Sequence, residues 1–86
     1  MKPELTCESV VDIRYRDSEI AKAVNKAISP DNLLAYESTK ITSSVEGETL
    51  RIRVISTKLT TLIATLDDLL SCIQAAESAI TEINLR

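Results

Sequence analysis

Side chains able to do acid, base or nucleophilic chemistry are few in this sequence and poorly spaced for it. There is no histidine, the side chain that most often moves protons near neutral pH. The two cysteines, Cys7 and Cys72, stand near opposite ends of the chain, at no spacing that metal sites use. Both are therefore read as buried, free thiols packing like small apolar residues, with adventitious redox chemistry or a disulfide as the lesser alternatives. Asp67 and Asp68 are adjacent on a helical stretch, so they point in different directions and read as solvated charge, not as a carboxylate dyad. One glycine, Gly47, cannot build a loop that cradles phosphate. No catalytic residue, cofactor site or metal site is expected, and a stand-alone enzyme is the weakest of the readings.

Charge suggests a different use for polar residues. Ten Lys and Arg against thirteen Asp and Glu leave a net charge of -3, which argues against coating nucleic acid by bulk electrostatics. A local cluster survives that argument. Arg14, Lys40, Arg51 and Arg53 fall on the polar positions of predicted strands, interleaved with Glu8 and Asp12. Such a face can touch RNA phosphates, which makes a stand-alone RNA-binding module the alternative function. Cross-strand pairing with the acids explains the cluster equally well. Tyr15 and Tyr36 are the only aromatics, so no stacking platform for bases is expected on that face.

The elements that must position these residues follow from periodicity. In LTCESVVDIRY the residues Leu5, Cys7, Val11, Ile13 and Tyr15 alternate with polar ones, the period of a strand with one wet face, with Val10 as an apolar exception on the wet side. Asp17 and Ser18 offer cap oxygens to a helix whose apolar residues Ile20, Ala23, Val24, Ala27 and Ile28 recur at helical spacing. Ser29-Pro30 ends it, and PDNLLAYE connects onward with Leu33, Leu34 and Tyr36 as anchors. Two further alternating runs, Thr39 to Val45 and Leu50 to Val54, flank Glu46-Gly47-Glu48, where a tight hairpin needs positive φ. The last element is a long helix capped by Ser56 or Thr57. The order β-α-β-β-α predicts an α+β fold, a three-stranded antiparallel sheet with two helices on one face, in one domain over residues 1–86. No run of about 18 apolar residues and no signal-like start is seen, so no membrane partner and a cytoplasmic address are expected.

The long helix carries the functional expectation. Leu59, Leu62, Leu66, Leu69, Ile73, Ala76, Ile80 and Ile83 step by three and four, and Ile63 and Leu70 widen the stripe. About 26 residues at about 1.5 Å each make a rod of roughly 39 Å. Strands of about seven residues reach only roughly 23 Å. The helix must overhang its sheet, leaving apolar surface toward Ile80 and Ile83 for a second chain to cover. Leu62, Ile63, Leu66, Leu70, Ile73, Ile80 and Ile83 are the expected partner-binding residues. The small residues Thr60, Ala64, Ser71, Ala75 and Ser78 on the back of the helix form a second expected surface, on which a partner helix can come close.

The stretch SPDN, the hairpin around Val45-Glu46-Gly47, and LRIRVISTKLTTLIATLDDLLSCIQAAESAI resemble the small KEOPS subunit of the CTAG/Pcc family. The likeness extends through the first strand and helix in order and spacing. It implies an accessory subunit of the complex that makes N6-threonylcarbamoyladenosine on tRNA. It also implies pairing as a homodimer or with a paralogue, and docking through the helices onto the catalytic subunit, an enzyme of the actin-like ATPase superfamily. Any tRNA contact would be weak or indirect. At the head of the last helix the family commonly has an acidic residue, then Ser or Ala, Leu and Arg. Here Lys58, Thr61, Leu62 and Ile63 stand instead, so only the leucine matches and the arginine's role is in question.

Overall fold

In the computed structural model the described residues are 5–28 and 39–84, with side chains described as far as Ile80 in the last helix. Their order is β1 (Cys7–Arg14), α1 (Ser18–Ala27), β2 (Thr39–Glu46), β3 (Thr49–Ser56) and α2 (Leu59–Asn84), the expected α+β sequence of elements. The sheet order is β1-β3-β2 with both pairings antiparallel. The helix α1 therefore carries the chain from one edge of the sheet to the other, and β3 fills the gap between.

Local chemistry explains each boundary. The Asp17 carboxylate accepts the amide hydrogen of Ile20 at 2.9 Å, satisfying one of the orphan donors at the head of α1. Gly47 has φ +62 and is the only described residue with positive φ. It occupies the first central position of a two-residue turn between Glu46 and Thr49, the place where a type II′ hairpin wants glycine. The register that results sets Val45 beside Leu50 and Ile41 beside Val54, so one-sided burial is consistent across the strands. Ser56, fully buried, accepts from the amide of Lys58 and from the Thr39 hydroxyl, each at 3.2 Å. It ties the end of β3 to the start of α2. The expected connection through Pro30, Leu33, Leu34 and Tyr36 lies outside the described residues.

Because β3 is flanked on both sides, its inward residues Leu50, Ile52 and Val54 are wholly buried, while those of the edge strands are only partly so. They form one cluster with Val24 and Ile28 from the first helical segment and Leu62, Leu69 and Ile73 from α2. Each such aliphatic residue contributes about 1.5–3 kcal/mol when fully buried. The face of α1 differs from expectation: Ala21 and Val24 are buried, whereas Ala23 and Ala27 are exposed.

Helix α2 is 26 residues long, or about 39 Å, against about 26 Å for an eight-residue strand. Leu59–Ile80 is long and apolar enough to cross a membrane by length and composition. Asp67 and Asp68 stand near the middle of that segment, and Leu62, Leu69 and Ile73 on it are buried in the core cluster with the sheet.

Candidate partner-docking site

The apolar surface of α2 divides into two stripes. Leu62, Leu69 and Ile73 face the sheet and are buried, and Leu66, Ala76 and Ile80 pack against the same cluster in part. This places the covered stripe farther along the helix than its length alone suggests. Tyr15, just beyond β1, accounts for that reach. Its ring packs on the core cluster and its hydroxyl donates to Glu77 Oε2 at 2.5 Å, holding the far half of α2 against the end of the sheet. Burial first, and then the hydrogen bond to Glu77, push the Tyr15 hydroxyl well above its ordinary pKa.

A second stripe runs along the flank of the helix's first half. Leu59 is 59% exposed, Ile63 57% and Leu70 44%. Thr60, Ile63, Ala64, Leu66, Asp67 and Leu70 line a shallow groove there. Leu59, Ile63, Leu66 and Leu70 step by four, three and four, the spacing that lays one edge of a helix against a neighbouring helix. Large aliphatic side chains held this far in water form a patch of the kind that marks an interaction surface.

The expected partner-binding residues are thereby sorted. Leu62 and Ile73 are corrected: at 5% and 3% exposure they belong to the chain's own core and have no surface to offer a second chain. Ile80 is partly buried on that core, and among the described residues of α2 the exposed large aliphatics, Leu59, Ile63 and Leu70, lie on a flank nearer the head. The side chain of Ile83 lies outside the described residues. Ile63 and Leu70 are exposed, and Leu66 lies between core and groove. Leu59, read from the sequence as part of the main stripe, and Asp67, read as solvated charge, were not among the expected partner-binding residues. The signal for Leu59 was the second four-three-four spacing, masked because it overlaps the core stripe at Leu66; Asp67 had no such signal. All five small residues are exposed; Thr60 and Ala64 line the groove, while Ser71, Ala75 and Ser78 do not. Cys72 is exposed and Cys7 partly buried, both free, which corrects the expectation of two buried thiols: position 72 points away from the sheet.

On the outer face of the sheet three of the four candidate RNA contacts are engaged by acids. Arg51 donates to Asp12 through two nitrogens at 2.8 and 3.0 Å, Arg53 donates to Glu8 at 2.5 Å, and Arg14 lies 3.6 Å from Glu48. The Arg51 hydrogen bond holds the Asp12 carboxyl below its usual range. Lys40 is exposed and makes no ion pair among the described residues. The same residues hold no cluster of three or more His, Cys, Asp or Glu placed to bind a metal.

A family model described as Transcription factor Pcc1 matches residues 8–81. No curated protein sequence matches. Among solved structures, a chain of the crystal structure of the binary complex Gon7-Pcc1 is similar with a TM-score of 0.81 and 17% identity, covering 90% of this chain and 95% of that one. At that identity the likeness speaks for the fold, and it reproduces the arrangement described above. The family match spans every strand and helix from β1 to the tail of α2, and on it the chain belongs to the Pcc1 family of KEOPS subunits.

Proposed function

We propose that this chain is a noncatalytic dimerising and scaffolding subunit of the KEOPS complex, supporting N6-threonylcarbamoyladenosine formation on tRNA. It pairs with a second copy or with a paralogue, and it meets the catalytic subunit, of the actin-like ATPase superfamily, through the exposed flank of α2. The observation that carries this reading is the exposed ridge of Leu59, Ile63 and Leu70 on a Pcc1-family fold whose buried core cluster is formed without them. A helix that had only to complete its monomer would not hold three large aliphatic residues in water over three turns. The ion pairing of Arg14, Arg51 and Arg53 argues against the alternative of an RNA-binding module, because phosphate would have to displace carboxylates already seated.

Affinity capture of the full chain from its native extract, with mass spectrometry, tests the reading. The KEOPS catalytic subunit is expected among the captured proteins. Its absence, under conditions where the chain remains folded by circular dichroism, overturns the assignment.

A further inference from the structure

We propose that the flank of α2 seats an amphipathic helix of a different chain, one whose apolar ridge is bordered by lysine or arginine, and that Asp67 selects it. The inference rests on the reading of α2 as the docking helix and adds the chemistry of what docks. Two observations carry it. The groove between Thr60 and Leu70 is apolar except for Thr60 and Asp67, and its large aliphatic residues Ile63, Leu66 and Leu70, with Leu59 beside them, keep heptad spacing, which a second helix matches and an extended strand does not. The charge along α2 has one sign: from Leu59 to Asn84 the helix carries Asp67, Asp68, Glu77 and Glu82 and no Lys or Arg.

Asp67 thus borders a surface that any occupant must desolvate. A carboxylate at such an edge is left without a partner unless the arriving helix brings a cation, and an arriving acid is repelled. A second copy's α2 is a poor occupant for the same reason, since it brings the same four acids. The nearest cation it offers is Lys58, which precedes the helix and lies about one turn out of line when the two ridges overlap fully in antiparallel. A lysine- or arginine-bordered helix supplies both the ridge and the counter-charge.

The test uses the full chain and two labelled helical peptides of identical leucine ridge, one bordered by lysines and the other by glutamates, titrated by fluorescence anisotropy. The lysine peptide is expected to bind about tenfold or more tightly than the glutamate peptide. Asp67→Lys is expected to invert that preference, Ile63→Asp to abolish binding of both, and Glu19→Lys, the same change of net charge at an exposed position of α1, to leave the preference intact. Equal binding of the two peptides overturns the proposal, as does a Glu19→Lys effect as large as that of Asp67→Lys. Conversion of a dimer to a monomer by Ile63→Asp in light scattering also overturns it, by showing that a second copy fills the groove. Absence of the catalytic subunit from the capture experiment, with peptide selectivity unchanged, counts against the KEOPS assignment and not against this one.

Discussion

Tyr15 shows how one side chain extends a fold. Its hydroxyl joins the end of β1 to Glu77 in the far half of α2. Tyr15→Phe removes one part-buried hydrogen bond to a carboxylate and is expected to lower stability by about 1 kcal/mol in chemical denaturation. The same group sets a pH dependence. Its pKa is raised in the folded state, so between the unfolded value and the folded one the unfolded chain binds fewer protons than the native chain. The stability it contributes is complete below about pH 10 and falls as pH rises beyond it. Denaturation curves across that alkaline range should show the decline in the wild type and a smaller one in Tyr15→Phe. Gly47 makes a second local test. A Cβ there meets nothing within 4 Å, so Gly47→Ala should cost only the backbone term of a residue at φ +62, about 1–2 kcal/mol, with no packing loss.

Helix α2 has two faces with opposite tolerance to change. Ile73→Asp puts an unpaired carboxylate into the core cluster and is expected to abolish the cooperative melting transition. Ile63→Asp and Leu70→Asp, on the exposed flank, should shift stability by no more than about 0.5 kcal/mol while reducing capture of the catalytic subunit. Thermal melts read beside capture separate the two faces, and equal destabilisation by Ile63→Asp and Ile73→Asp would show the flank to be core. Strand β3 makes the complementary case. Its central place leaves Leu50, Ile52 and Val54 fully buried, so Ile52→Ala should cost about 2–5 kcal/mol.

Taken together, the molecule is acidic overall, with its basic residues on the outer sheet face largely matched by acids. It is expected not to retain tRNA by itself, and Arg51→Gln with Arg53→Gln should leave that result unchanged. Filter binding from low to high salt checks it, with salt-sensitive retention by the wild type as the contrary outcome. The pairing proposed for the whole chain is read by light scattering of the isolated protein and of the protein with its paralogue. A particle of monomer mass in both samples would remove dimerisation from the proposal.

Periodicity was enough to place every described element, because alternation of two and stepping of three and four are local properties of the chain. The lone glycine was enough to locate the hairpin, because only glycine takes φ +62 without strain. The motifs from the hairpin onward were enough to suggest the family. The division of α2 into a buried stripe and an exposed one was not legible, because both share a helical period and overlap at Leu66, and only the packing of the helix on the core cluster separates them. Nor could the chain alone show that Tyr15 is linked to Glu77, since those partners stand 62 positions apart. Contacts that distant depend on how the sheet and helix are stacked, and stacking is a property of the assembled layers.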